Sequence, residues 1–212
     1  MLLILTGQIR TGKTTWLRAR VGALEAAGVA CYGVTAPGVW DDRGRKVAID
    51  NELLPGQGRV RLARAADPAE AGGMAWDFDA AALARVNAHL AGLRGDGPHE
   101  SGQRGGGPAG DVPREDSPHK DASPARAARP GLLVVDELGP LELRRGAGLT
   151  EALALLAEGP TPAWPHALVV VRAGLAEEAA ALLGPAWGEV RELRPDEAGT
   201  ELLTGVVLGA RG

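Results

Sequence analysis

The chain opens on four consecutive aliphatic residues, Leu2 to Leu5, and comparable apolar runs recur at Val29 to Thr35, Leu132 to Val135 and Ala167 to Val171. Runs of this kind, lacking a polar alternation, mark strands covered on both faces. Between them lie alanine- and leucine-rich stretches suited to helices: Lys13 to about Ala27, Asp79 to Leu93, Ala147 to Glu158, Gly174 to Leu183 and Gly199 to Leu208. Asp79 stands where a helix N-cap belongs. Glu189 to Leu193 has room for one short strand. Val39 to Leu54 reads as a hairpin turning at Asp41-Asp42-Arg43-Gly44, because aspartate and glycine suit tight turns. The alternation of strand and helix predicts an α/β fold, a mostly parallel sheet sandwiched by helices.

From Arg94 to Gly131 the pattern collapses. Val112 is the only large aliphatic there and no aromatic occurs, so this stretch cannot bury a core. It is predicted to be a flexible, disordered insertion, residues 94–131, within a single domain spanning 1–212. Closing such a loop costs little more as it lengthens, so one core can be shared by the parts before and after it. A composition of 45% hydrophobic and 24% charged residues is sufficient for that core.

Net charge is −4, which gives no electrostatic reason to expect nucleic acid or an anionic membrane as partner. Cys31 is the single cysteine, so an intrachain disulfide and a cysteine zinc site are both excluded, and a reducing, cytoplasmic setting is expected. Leu2 to Leu5 is too short for a signal peptide, and no run reaches the roughly 18 apolar residues of a membrane helix. His89, His99, His119 and His166 are scattered, which predicts no histidine metal cluster.

The first apolar run leads directly into Gly7-Gln8-Ile9-Arg10-Thr11-Gly12-Lys13-Thr14, which satisfies GxxxxGK(S/T) at every required position. Strand before and helix after is the context this motif needs. Glycines let the backbone turn its N–H groups inward, and the helix N-terminus adds partial positive charge, so the loop is predicted to cradle phosphates. Lys13 reaches toward the β- and γ-phosphates, the Thr14 hydroxyl is placed to ligate Mg²⁺, and Thr15 is placed near the α-phosphate.

Leu132-Leu133-Val134-Val135 ends in Asp136-Glu137, the form of a Walker B element. Asp136, at the carboxyl end of a parallel strand expected beside the first one, would hold Mg²⁺ through water. Glu137 would polarise an attacking water, which makes the reaction hydrolysis. Arg172 ends the strand Ala167 to Val171 on the same edge and is a candidate phosphate sensor; Arg144 and Arg145 are weaker candidates. Trp40 and Trp76 are weighed as base-stacking residues and assigned structural or exposed roles.

The sequence DELGPLEL, together with GQIRTGKTT, resembles the THEP1-type nucleoside-triphosphatases, and CYGVTAPGVWDDRGRKVAID resembles the same family more loosely. The loop departs from that family in carrying Gln8-Ile9-Arg10, where its members more often have Pro or Gly. The resemblance implies a P-loop NTPase three-layer α/β/α sandwich of the additional-strand type and slow Mg²⁺-dependent hydrolysis of ATP, GTP or other nucleoside triphosphates. By position it assigns phosphate binding to Gly7 through Thr15, the metal to Asp136 and the catalytic water to Glu137. Two other readings stay open at this level: a nucleotide-gated adaptor, and a small-molecule or nucleotide kinase.

Overall fold

Five strands run side by side in one direction. In spatial order they are β2 (Val29–Thr35), β7 (Arg129–Leu138), β8 (His166–Val171), β1 (Leu2–Leu5) and β9 (Val190–Leu193). The computed structural model that shows this describes residues 1–66, 76–95 and 129–209. On the outer edge of β2 the direction reverses. There β4 (Lys46–Leu54) pairs antiparallel with β2, β3 (Gly38–Trp40) and β5 (Arg59–Ala65) pair with β4, and β6 (Trp76–Phe78) pairs with β5.

The sheet, of nine strands among the described residues, is therefore mixed, not mostly parallel as the sequence pattern predicts. The reason lies in β5, which sequence reading passes over. Its Arg59 and Arg61 are exposed while Val60 and Leu62 are buried, the alternation of an antiparallel strand with one wet face. A second correction concerns adjacency: β8 lies between β1 and β7, so Asp136 is not on the neighbour of the first strand. Strand β7 also runs on through Leu138, beyond the apolar run that announces it.

The helices are α1 (Lys13–Ala26), α2 (Ala80–Gly95), α3 (Pro140–Arg145), α4 (Thr150–Glu158), α5 (Ala176–Trp187) and α6 (Glu197–Leu208). Asp79 caps α2 as expected, its Oδ1 accepting from the Ala82 N–H at 2.9 Å. The helix predicted over Ala147 to Glu158 is α4, starting later at Thr150 after left-handed Gly148, and the short α3 before it, ended by left-handed Gly146, is a helix that the sequence pattern does not predict. The predicted insertion is narrower than its composition implies, since Arg94 and Gly95 close α2 and Arg129 to Gly131 open β7. Residues 96–128 lie outside the described residues.

Because the parallel strands are covered on both sides, each feeds two cores. Leu2, Ile4, Leu133, Val135 and Val169 pack with Leu155, Leu156 and Leu183 of α4 and α5. Leu3, Leu5, Leu132, Val134 and Val170 pack with Leu17, Val21 and Leu24 of α1 and Leu203 of α6. The spacing 17, 21, 24 places one stripe of α1 on the sheet, which fixes the helix axis and hence its N-terminus. No helix among the described residues is long and apolar enough to cross a membrane.

At Gly33 the β2–β7 pairing requires glycine. Its φ is +109°, and an added Cβ would collide with the Val134 carbonyl oxygen. Gly33→Ala is expected to lower stability by about 2 kcal/mol or more, through backbone strain and a displaced ladder. Gly22→Ala, in α1 with open space around it, is expected to raise stability by about 0.5–1 kcal/mol. Urea denaturation of the two variants checks this; equal midpoints would contradict it.

Candidate functional site

Strand β1 delivers the chain to the sheet edge at Thr6, whose N–H donates to the Leu193 carbonyl at 3.0 Å and ties the exit to β9. The turn that follows needs left-handed backbone at Arg10 (φ 64°) and Gly12 (φ 80°). Thr11 Oγ1 donates to the Gln8 carbonyl at 2.8 Å and closes the loop. The Ala173 N–H, just past β8, donates to the Gly7 carbonyl at 3.3 Å, so the loop is braced from both neighbouring strands.

Helix α1 then starts with Gly12 as its N-cap, no side-chain cap and no acidic residue in its first turn. Each of the other described α-helices has one or the other: Asp79 and Asp196 cap α2 and α6, while Glu142, Glu151, Glu177 and Glu178 stand in the first turns of α3, α4 and α5. The first-turn N–H groups and positive end of α1 are thus left for something else. Lys13 adds its ammonium, which donates to the Gly7 and Gln8 carbonyls at 2.9 and 2.8 Å.

Asp136 faces this helix end from β7. Its carboxylate is fully buried, with Oδ2 accepting from the Ala36 N–H at 2.9 Å and Oδ1 accepting from Thr14 Oγ1 at 3.4 Å. Burial pushes its pKa up to about 7, with neighbouring Glu137 adding to the rise and the bonds from Ala36 and Thr14 opposing it. Glu137 is held at φ 65°, and it and Arg10 are the non-glycine residues with positive φ among the described residues. Strained backbone is therefore concentrated at this one place.

The sequence-predicted residues converge. Gly7, Gln8, Ile9, Arg10, Thr11, Gly12, Lys13, Thr14 and Thr15 form one continuous loop and first helical turn. Burial lowers the Lys13 pKa, Glu137 and Asp136 raise it, and Arg172 lowers it, so all four charges share one field. Ile9 turns outward, 66% exposed. Arg144, by contrast, is taken by Glu178 of α5 at 2.9 Å. Cys31 is a buried core thiol with its pKa pushed up to about 12, chiefly by burial, as a structural cysteine should be.

One residue at the site escapes sequence reading. Lys46, on the antiparallel β4, brings its Nζ to 3.4 Å from Glu137 Oε1. Nothing in a lone lysine after a hairpin turn signals this, because the pairing depends on β4 folding back beside β2. Beside the loop on the other side, a cleft of about 450 Å³ is lined by Gly7, Gln8, Thr11, Glu192, Arg194 and Pro195.

Among the described residues no group of three or more His, Cys, Asp or Glu side chains could hold a metal. What the site offers is a hydroxyl and a carboxylate, Thr14 and Asp136, both hard oxygen donors on facing elements. That set fits an ion such as Mg²⁺, which keeps several waters and takes few protein oxygens when a phosphate supplies the rest.

Comparison with known proteins brings no relative to this arrangement: no family model matches the chain, and no curated protein or solved structure matches it. The THEP1-type resemblance therefore rests on the motif residues themselves.

The buried Asp136 carboxyl makes stability depend on pH. Its folded pKa is raised above the unfolded value, so the native state binds the extra proton and this group's contribution falls as pH rises from about 4 to about 7. Asp136→Asn removes the ionisation penalty. Without added metal, the variant is expected to melt above the parent at pH 8 and to lose that advantage near pH 4. A melting difference that does not change with pH would contradict the burial of the charge.

Proposed function

We propose that this chain is a Mg²⁺-dependent nucleoside triphosphatase with a P-loop fold of the additional-strand kind, hydrolysing ATP, GTP or other nucleoside triphosphates to the diphosphate and phosphate. The observation that carries the proposal is that, among the described residues, the one α-helix left without a cap or first-turn acid carries Lys13 and Thr14 and points at Asp136. The order β2-β7-β8-β1-β9, with one strand between the two that bear the motifs, supports the fold reading. The THEP1-type family and a cytoplasmic setting belong to the same proposal.

In this mechanism the N–H groups of Gly7 through Thr14 bind the phosphate chain, with Thr15 near the α-phosphate. Lys13 exchanges its two carbonyl partners for oxygens of the β- and γ-phosphates, whose negative charge offsets the cost of leaving them. Thr14 and Asp136 would hold the Mg²⁺, which when bound draws charge from the phosphate oxygens. Glu137 orients a water in line with the γ-phosphorus and accepts its proton as the new P–O bond forms and the bond to the β-phosphate oxygen breaks. Arg172 stands at the same sheet edge to contact the γ-phosphate.

Glu137→Gln is expected to slow phosphate release ~10²-fold or more while leaving nucleotide affinity within ~3-fold, because the carboxylate acts on water and not on the bound phosphates. Steady-state phosphate release with Mg²⁺-ATP, run beside equilibrium binding, checks both halves. Unchanged release in the variant, or γ-label recovered on an acceptor other than water, would contradict the hydrolytic assignment.

A further inference from the structure

Lys46 is built into place more carefully than an ordinary surface lysine. The β3–β4 ladder slips by one residue, so that Val39 faces Ala48 but Trp40 faces Lys46, and Val47 is the extra residue. Such a bulge re-aims the side chain next to it. The stem of Lys46 then lies over Gly38, where an added Cβ would come within 2.8 Å of its Cε and 3.2 Å of its Cδ. Its ammonium sits 5.4 Å from the centre of the Trp76 ring, an arrangement that attracts a cation to the ring face. Upstream, Asp41 accepts from the N–H groups of Arg43 and Arg45 at 3.0 and 2.8 Å, which fixes the turn leading into β4.

At the far end of that arrangement is Glu137. Among the described residues Lys46 is the cation in ion-pair contact with it. The Lys46 side chain is 22% exposed and that of Glu137 43% exposed, and pairs this wet contribute little to folding. A bulge, a cleared glycine and an aromatic platform are more than such a pair needs for stability. They are what fixing the direction of a carboxylate needs.

We propose that Lys46 is the positioning residue for Glu137: reaching across from the antiparallel strands, its ammonium holds the carboxylate in the one orientation that serves the attacking water. The inference rests on the hydrolytic reading of Glu137 given above. It makes the antiparallel part of the sheet a component of catalysis, with Gly38 and Trp76 acting through Lys46.

The test is steady-state phosphate release from Mg²⁺-ATP by the full chain. Lys46→Met is expected to lower kcat ~10-fold or more with KM within ~3-fold, since a misaimed catalytic group costs rate and not binding. Lys46→Arg, which keeps the charge, should recover most of the loss. Gly38→Ala should lower kcat in part by pushing the lysine stem aside, with thermal denaturation confirming that it and the lysine variants remain folded. In a Glu137→Gln background, Lys46→Met should change kcat by less than ~2-fold, because two residues acting as one unit are not additive.

A normal kcat in Lys46→Met, a loss confined to KM, or an undiminished further drop in the Glu137→Gln background would each overturn the inference. Slow release in Glu137→Gln beside normal release in Lys46→Met removes this inference alone. Normal release in Glu137→Gln removes the hydrolytic reading and this inference with it.

Discussion

The arrangement depends on the free N-terminus of α1. A helix start without a side-chain cap leaves orphan N–H donors, which folded proteins normally satisfy. Here the core itself holds that end in place, through the stripe Leu17, Val21 and Leu24 pressed on the sheet. The loop before it is pinned to β9 at Thr6 and to the chain after β8 at Gly7. The donors therefore cannot collapse onto a partner of their own, and Lys13 bridges two loop carbonyls that offer it less than a phosphate would.

Opposite that end, Asp136 and Glu137 differ in environment although they are neighbours. Asp136 is enclosed and bonded at both oxygens, whereas Glu137 is half in solvent on left-handed backbone and tied to Lys46. Burial penalises charge in the first, so an added cation there relieves an existing cost. The second is the more accessible carboxylate, open to solvent. Two adjacent residues thereby acquire different environments from burial, backbone conformation and their separate partners.

Much of this was legible in the sequence because it is local. The Gly7–Thr14 loop, the strand carrying Asp136, the hairpin around Asp41 and the cap at Asp79 each depend on residues within a few positions of one another, and the structure contains each of them. What escaped is non-local or hidden by weak signals. Strand β5 alternates arginine with apolar residues and looks like a solvated stretch until β4 is beside it. The short α3 escapes as well, because its six residues follow directly on β7 from Pro140 and are too few for a helical period to show. Placement of β8 between β1 and β7 follows from packing of the whole sheet, and Lys46 could be found only once β4 was folded back.

The most direct test of the central claim is isothermal titration of the full chain with ATP, in magnesium and in chelator, beside Lys13→Ala. The account predicts saturable binding that weakens when magnesium is removed and that is lost in Lys13→Ala, while that variant keeps its thermal stability. Binding by Lys13→Ala as tight as the parent's, or no binding of ATP or GTP by the parent in magnesium, would contradict it.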